Sequence, residues 1–447
     1  MANPGLRGSR QKGIVENLKI CSPKRNCRVQ TGWQGFFPYY AGYPETFART
    51  LLESARLRRG DIVLDPWNGS GTTTYTASHL GLTSRGFDLN PVMVVVARAR
   101  LLAASEADSI EPLAADVISS ARIGRKSFDV ADPLKWWFTT DTALSIRAIE
   151  RSIRRRLVGK MTMTRSGTKL DRISGMAATF YVALFSVCRT LAKPFQSSNP
   201  TWLRRPKKEE DKAEAPHRFI AQQLADNLRS MAAALSAETV QPNLLVSDRG
   251  PSEISHADTI SVDVAAESVD LILTSPPYCT RIDYIAATRV ELAILAPLLQ
   301  SSAEDLGRQM IGSTRVPEYN ITPSSDWGAT CDRFLEALQK HPSKASSGYY
   351  YLTHLDYFSK MSISLSNLSK GLKRKGIAVL VVQDSFYKDQ HNDLPTIIGE
   401  MAEAQGLALA RREEFHLRRT MAGINPRARI YRASFAAVES VLCFCKN

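Results

Sequence analysis

A glycine-rich turn follows a short apolar run in the segment DIVLDPWNGSGTT, residues 61–73. Gly69 and Gly71 carry no Cβ atom, so the backbone can approach a ligand closely at these positions. A helix that begins near Thr72 would present free N–H groups to a carboxylate or a phosphate. The segment lacks the Gly-Lys-Ser/Thr ending of a nucleotide-phosphate loop. It therefore predicts a ligand-binding turn of another kind, with a purely structural turn as the alternative.

A carboxylate is positioned to complete this site. Asp88 lies 23 residues after Asp65, in the segment GFDLNP at the end of the next predicted strand. There it can accept hydrogen bonds from ribose hydroxyls. Strand, glycine loop, helix, strand and acid, in this order, indicate a cofactor that contains adenosine.

A second rigid segment, DLILTSPPY at residues 270–278, ends another apolar run. Its two prolines fix φ and donate no hydrogen bonds, which leaves carbonyl acceptors pointing outward. Ser275 and Pro276 would supply acceptors, and Tyr278 would supply an aromatic face. This combination suits a planar ring with an exocyclic amino group. A tight turn in which Tyr278 only packs is the alternative.

A parallel sheet must position these residues, because they follow short apolar runs of strand type. Such runs occur at residues 62–64, 269–273, 377–382 and 440–444, and a further strand is predicted at about residues 83–87. A helical pattern of apolar residues at 394–404 predicts a helix before the last of these runs. From about Leu101 to Gln241 the pattern changes to long amphipathic helices. We predict an α/β fold with a doubly wound, mostly parallel sheet and a large helical insertion.

Composition bounds the function further. Lys and Arg number 58 against 44 Asp and Glu, which gives a formal charge of +14 and favours a polyanionic partner. No apolar run approaches the roughly 18 residues of a membrane span, and the start has no signal peptide. We therefore expect a cytoplasmic protein without a membrane partner. The seven scattered cysteines form neither a disulfide framework nor a metal site, and no metal is predicted.

The two motifs resemble those of the amino-directed, AdoMet-dependent DNA methyltransferases, which carry DPFxGSGTT together with DPPY or SPPY. Trp67 and Asn68 replace the usual phenylalanine and small residue. The resemblance covers about residues 35–95 and 255–295. It implies a Rossmann-like AdoMet-dependent methyltransferase fold, S-adenosyl-L-methionine (AdoMet) as cofactor and double-stranded DNA as substrate.

The resemblance also implies roles for individual residues. The cofactor would be bound by residues of the glycine loop and by two further acids: Asp65, Pro66, Gly69, Ser70, Gly71, Thr72, Asp88 and Asp258. In this scheme Asp88 binds the ribose and Asp258 the adenine amino group. The segment at residues 35–47 resembles the part of the family that precedes a helix and packs against AdoMet. The flipped base would be held by the catalytic segment Ser275, Pro276, Pro277 and Tyr278.

Serine before PPY is typical of enzymes that methylate cytosine at N4, so we expect that reaction. An adenine-N6 DNA methyltransferase and a tRNA guanine-N2 methyltransferase are the enzyme alternatives. An inactive subunit that binds AdoMet or DNA is the alternative of another class. The setting would be a restriction-modification or phage-defence system, with a cognate restriction endonuclease or other defence proteins as possible partners.

The resemblance implies a division of the chain. Residues 31–100 and 243–447 would form the catalytic methyltransferase domain, and residues 1–30 a basic flexible arm. The insertion at residues 101–242 is a possible target-recognition region, and residues 296–350 are an equal candidate. Phosphate contacts are expected from three basic clusters, which comprise Arg151, Arg154, Arg155, Arg156 and Lys160, then Arg204, Arg205, Lys207 and Lys208, then Arg418, Arg419, Arg427 and Arg429.

Overall fold

The structure is a computed structural model that describes residues 13–24, 33–39, 41–124, 131–158, 163–164, 167–168, 170–197, 203–239, 249–279, 283–315, 320–417 and 437–446. Its main α-helices are α1 Trp33–Phe36, α2 Glu45–Ser54, α3 Thr72–His79, α4 Pro91–Arg100, α5 Ala107–Ser120, α6 Thr140–Leu157, α7 Gly175–Ala192, α8 His217–Thr239, α9 Arg289–Leu295, α10 Ala303–Gln309, α11 Ala329–Lys340, α12 Tyr351–Gly371 and α13 Leu394–Ala404. Its strands are β1 Ile62–Asp65, β2 Thr83–Asp88, β3 Met163–Thr164, β4 Gly167–Thr168, β5 Ser252–His256, β6 Val269–Thr274, β7 Leu372–Gln383, β8 Ser385–Tyr387, β9 Gln390–Asn392, β10 Leu407–Leu417 and β11 Ala437–Lys446.

Seven strands form one sheet in the order β10-β11-β7-β6-β1-β2-β5. The strands from β7 to β5 pair in parallel, whereas β11 runs antiparallel to both β7 and β10. The chain winds from β1 toward β5 on one side and from β6 toward β10 on the other. The switch point between β1 and β6 is where ligands of such sheets bind, at the carboxyl ends of the strands. This topology confirms the predicted Rossmann-like α/β fold class.

The central strand β7 shows how the sheet is buried on both faces. Because successive side chains of a strand point to opposite faces, its run of apolar residues serves two cores. Ala378, Leu380 and Val382 pack with the helices α11, α12 and α13. Ile377, Val379 and Val381 pack on the other face with α2 and the segment at residues 13–24. The sheet therefore has two covered faces and an accessible edge where its parallel strands end.

The chain between β2 and β5 folds into the helices α5 to α8, which share one hydrophobic core with α4 and α9. Arg147 of α6 ties this helical body to the segment after SPPY. Its Nη1 donates to the carbonyl of Ile294 at 2.8 Å and its Nη2 to that of Ala293 at 2.9 Å, while its Nε donates to Asp132. The insertion is thus fastened to the chain that follows the second motif.

The start of the chain differs from the predicted flexible arm. In the described residues 13–24, Val15 is fully buried and Leu18 is 3% exposed, both against the sheet. Nη1 of Arg411 on β10 donates to the carbonyls of Val15, Glu16 and Leu18 at 2.8–3.3 Å. The prediction of a flexible arm is therefore wrong for residues 13–24, because this apolar pair covers the sheet. Residues 1–12 and 25–30 lie outside the described part.

Two other elements correct the sequence analysis. The last strand, β11, lies inside the sheet, and the unpredicted β10 forms its edge. The helix α7 is buried over most of its length, with Phe180 and Leu184 fully buried, and Thr190 near its end is exposed. Over Gly175–Phe195 this helix is long and apolar enough to cross a membrane, contrary to our expectation that no segment would be. Most of it is buried inside the protein, as in a core helix.

Candidate active site

The glycine loop joins β1 to α3 as predicted and bends sharply at two glycines. Gly69 has φ +49° and Gly71 has φ +79°, both in the left-handed region that favours glycine. The amide of Gly69 donates to Oδ2 of Asp88 at 2.8 Å, which ties the loop to the end of β2. A Cβ on Gly69 would stand 3.4 Å from the ring of Tyr39, so this glycine lies against the cavity.

Gly71 contributes to helix packing. It does not line the cavity, unlike the other predicted cofactor residues. A Cβ atom there would stand 2.9 Å from the Cβ of Ala97 on α4, closer than real side chains allow. The missing side chain therefore lets α3 pack closely on α4.

Asp65 is the buried acid at the end of β1. It accepts hydrogen bonds from the hydroxyls of Thr73 and Thr274 and from the amide of Trp67. Burial raises the pKa of Asp65 to about 6, although these hydrogen bonds favour the charged form. Asp65 therefore fixes the loop to β6, in addition to lining the cavity.

Asp88 lies beside the loop at the end of β2. Its Oδ2 accepts the Gly69 amide and its Oδ1 accepts the Asn90 amide, both at 2.8 Å. Burial raises the pKa of Asp88 to about 7 despite these two donors. Each carboxylate oxygen has further lone pairs, so this group can accept additional hydrogen bonds from a ligand.

Asp258 lies near the end of β5, where the chain turns. Its Oδ1 accepts the amide of Ile260 at 3.0 Å. Burial raises the pKa of Asp258, while the Ile260 amide and the nearby charge of Lys360 act in the opposite direction. Lys360 is itself held by Asp356 at 2.9 Å and by the carbonyl of Arg308. The acid predicted to meet the adenine therefore lies in the cavity beside a buried ion pair.

The segment SPPY leaves β6 and is held by distant parts of the chain. The Ser275 hydroxyl donates to the Val381 carbonyl at 3.1 Å, which leaves its lone pairs available as acceptors. The Pro277 carbonyl accepts the Tyr357 hydroxyl at 2.9 Å. The amide of Tyr278 donates to the Tyr284 hydroxyl at 3.1 Å.

The side chain of Tyr278 is directed by a carboxylate on the antiparallel strand. Its hydroxyl donates to Oε1 of Glu439 on β11 at 3.5 Å. Burial and the charge of Glu439 raise the pKa of Tyr278 well above its usual range, so the ring carries a neutral hydroxyl. The backbone of Tyr278 lies close to Gly312. A Cβ atom added at Gly312 would stand 2.9 Å from the Tyr278 carbonyl oxygen.

One cavity joins the two motifs at the switch point of the sheet. It is lined by every predicted site residue except Gly71, namely Asp65, Pro66, Gly69, Ser70, Thr72, Asp88, Asp258, Ser275, Pro276, Pro277 and Tyr278. The lining holds three carboxylates, and no Lys, Arg or His belongs to it within the described part of the chain. The cavity therefore attracts a cation and repels a phosphate.

Sequence reasoning missed several residues of the wall. Tyr39 and Tyr43 come from the segment predicted to pack on the cofactor, but neither was singled out as a site residue. The Tyr43 hydroxyl contacts Thr73 at 2.6 Å and the Leu273 carbonyl at 3.2 Å. Met310 and Ile311 belong to a loop after α10 that contains no motif. Only their position in the fold reveals them.

Reactive and metal-binding side chains are not found in the cavity among the described residues, and some of the predicted basic residues lie outside the described part of the chain. Cys279, next to Tyr278, is buried and does not line the cavity. Where side chains are described, no group of three or more His, Cys, Asp and Glu could hold a metal ion. Lys160 and the third basic cluster, residues 418–429, lie outside the described residues.

Comparisons with known proteins agree with the motifs. The N6/N4 methyltransferase family model, described as DNA methylase, matches residues 16–98. The Type II methyltransferase M.BsoBI of Geobacillus stearothermophilus is 43% identical over 54 residues, 12% of this chain and 11% of that protein. The Type II methyltransferase M.HpaI of Haemophilus parainfluenzae is 33% identical over 99 residues, 22% and 27% of the two chains.

This chain is similar to the amino-directed DNA methyltransferases. The resemblance expected from the two motifs is thereby confirmed. The matched stretches span at most about a quarter of the length of these curated relatives. Among solved structures, the rRNA methyltransferase AviRa of Streptomyces viridochromogenes aligns over 95% of this chain and 96% of its own, with 11% identity and a TM-score of 0.28. At that TM-score the alignment carries no argument about function.

Proposed function

We propose that this protein transfers a methyl group from AdoMet to the exocyclic N4 amine of cytosine in double-stranded DNA. One observation carries the proposal: a single cavity joins the glycine loop, Asp88 and Asp258 to the SPPY segment. A cofactor on the first side and a flipped base on the second would meet inside it. The match to the N6/N4 DNA methylase model supports the coarser part of the proposal.

The charges of the cavity support AdoMet over other adenosine cofactors. NAD and ATP carry phosphates, which three carboxylates without a lining cation would repel. AdoMet carries a sulfonium and an ammonium group, and its ribose and adenine bring donors for acidic acceptors. The residues present therefore fit this cofactor, which would supply an electrophilic methyl group.

Each part of the cofactor has a proposed partner. Asp88 would accept hydrogen bonds from the ribose hydroxyls, and Asp258 one from the adenine amino group. Gly69, Ser70 and Thr72 at the start of α3 would hold the methionine part, where amide groups face a carboxylate. Asp65 would contribute negative charge close to the sulfonium and ammonium groups of AdoMet.

The SPPY segment would hold and orient the base. Ser275 donates its proton to the Val381 carbonyl, so its oxygen faces the cavity as an acceptor for the amine. The Pro277 carbonyl is already bonded to Tyr357, which leaves Pro276 as the backbone acceptor of the motif. Two acceptors on the amine favour a pyramidal nitrogen with its lone pair free to attack. Tyr278 would stack on the ring and replace part of the stacking lost on flipping.

Nucleoside analysis tests the reaction directly. The protein is incubated with methyl-labelled AdoMet and either host DNA or host RNA, and the digested nucleosides are analysed by mass spectrometry. We expect labelled N4-methylcytosine from the protein and about 100-fold slower labelling by Ser275→Ala under the same conditions. N6-methyladenine alone would make the base assignment wrong and leave amine methylation intact. Labelled RNA guanine without labelled DNA would favour the tRNA-type alternative, and 5-methylcytosine would overturn the mechanism.

The wider setting is also part of the proposal. The two relatives are named Type II methyltransferases, which supports a role in a restriction-modification or phage-defence system with a cognate endonuclease. Residues 31–100 and 243–447 would form the catalytic unit in the cytoplasm. Residues 101–242 or 296–350 would recognise the target sequence.

A further inference from the structure

An exposed tryptophan on the helical body carries a stacked guanidinium. Trp136 is 40% exposed, and Cζ of Arg205 lies 3.4 Å from the centroid of its ring. The adjacent Trp137 is fully buried and anchors this arrangement, since its Nε1 donates to the Arg204 carbonyl at 3.2 Å. The amide of Arg204 donates in turn to the Phe195 carbonyl at 2.9 Å. Arg205 therefore extends from a fixed backbone onto an aromatic face.

A second guanidinium lies near this pair. Arg289 begins α9, which contacts the 3₁₀-helix Pro133–Trp136 that carries the tryptophan. Burial and the positive charge of Arg289 both lower the pKa of Arg205. Asp283 lies 3.8 Å from Nη2 of Arg289 and is the carboxylate paired with it in the structure. Bringing two like charges together costs free energy that a bound anion would recover. We call Trp136, Arg205 and Arg289 the basic-aromatic patch.

The patch lies next to the cavity wall. Asp283 directly precedes Tyr284, which lines the cavity and bonds the Tyr278 amide. Arg289 lies five positions after Tyr284, along a turn and a short 3₁₀ segment, which spans about 10 Å. A nucleic acid strand rises about 3.4 Å per nucleotide. The backbone of Arg289 therefore lies about three nucleotide rises from the cavity wall at Tyr284.

We propose that the basic-aromatic patch binds the phosphodiester backbone beside the flipped base. The proposal rests on the proposed function and identifies where the helical body contacts the nucleic acid. A guanidinium stacked on an aromatic ring keeps its N–H edge for two parallel bonds to a phosphate. Such contacts set the position of the protein on the duplex and carry no sequence information.

Salt dependence of binding tests the patch. Binding of a short random-sequence duplex is measured by fluorescence anisotropy over a series of salt concentrations. Arg205→Ala and Arg289→Ala should each weaken binding about tenfold at low salt. Each should also lower the log-log slope by about one, and the double variant by about two. AdoMet affinity and the thermal midpoint should stay unchanged.

Arg374→Ala is the matched control. Arg374 is exposed, pairs with Glu267, and lies near the amino end of β7, opposite the cavity edge. The Arg374→Ala substitution removes the same charge as the patch variants. It should leave the log-log slope of duplex binding against salt near that of the unmodified protein. If the two patch variants show the same slope as the control, the proposal about the patch is wrong. The proposed function would still stand in that case, provided that the unmodified protein binds duplex in a salt-dependent way. An unmodified protein that binds AdoMet and no duplex would overturn both.

Discussion

The two halves of the cavity are held in different ways. In the cofactor half, Asp88 is fixed by amides 19 and 2 residues away, both within the first motif region. In the base half, Ser275, Pro277 and Tyr278 are bonded to residues 106, 80 and 161 positions later. Asp88 is thus held by local sequence, whereas the three residues of the base half require the assembled sheet. Substitutions in the two halves should therefore affect different measurements.

The largest expected effect is on stability, from Gly71→Leu. The side chain would meet Ala97 and impose a left-handed backbone on a leucine, so we expect a loss of about 3 kcal/mol or more in the free energy of unfolding. Chemical denaturation monitored by circular dichroism measures this. Gly42→Leu is the control for backbone strain alone, since Gly42 also has positive φ and a Cβ there would meet no atom within 4 Å. If the Gly71→Leu protein is as stable as the unmodified protein but does not bind AdoMet, Gly71 contacts the cofactor and is not needed for helix packing.

Ser275→Ala should break the base half alone. It removes one acceptor of the amine, and we expect the single-turnover rate to fall about 100-fold, as when one preorganised polar group is lost. AdoMet affinity and duplex affinity should be unchanged. Tyr278→Phe provides the mild control, because its hydroxyl bond to Glu439 is long at 3.5 Å. A tenfold loss of AdoMet affinity in Ser275→Ala would show that the two halves are not separable.

Asp88→Ala should affect the cofactor half alone. The ribose hydroxyls would lose their acceptor, so AdoMet binding should weaken by about 2 kcal/mol in calorimetry. The single-turnover rate at saturating AdoMet should change by less than about threefold. Asp61→Ala is a control at the other end of β1, away from the cavity lining. Unchanged AdoMet affinity in Asp88→Ala would place the ribose elsewhere.

A smaller effect is expected from pH, through the same carboxylate. Its pKa of about 7 means that Asp88 is ionised above pH 7 and protonated below it. Since the ionised form accepts hydrogen bonds and attracts a cation, AdoMet affinity should decrease as pH falls through 7, by up to about tenfold per pH unit. Calorimetry from pH 6 to 8 measures this. Asp88→Asn should flatten the profile, and an equally steep profile in that variant would assign the titration to another group.

The sequence predicted the parts of the fold that have strong local patterns. The apolar run of β7, the loop from Asp65 to Thr72 and the rigid SPPY segment are each recognisable alone. Strand β10 was missed because its centre is rich in charged residues, Arg411 to Glu414, and edge strands tolerate such residues. The packed segment at residues 13–24 was missed because only three of its residues, Val15, Leu18 and Pro23, are buried within a basic region.

The site residues could also be predicted where they belong to strong local sequence patterns. Eleven of the twelve expected residues line one cavity, because the motifs follow strands that end at one edge of the sheet. The packing of Gly71 on α4 was not predicted, because a close ligand and a close helix require the same missing Cβ, and only the structure shows the distance to Ala97. Met310 and Ile311 reach the wall through a loop that no local pattern marks.

The position of β11 has a consequence for folding during synthesis. This strand is made after β7 and β10 but lies between them, so both present unpaired edges until it emerges. Exposed edges of this kind are sites of misassociation between nascent chains. The strand also brings Glu439 to Tyr278, so the base half of the cavity is completed only when β11 inserts. A ribosome-bound chain that lacks this strand could already hold Ser275 through Val381 and Pro277 through Tyr357, while Tyr278 would still lack its carboxylate partner.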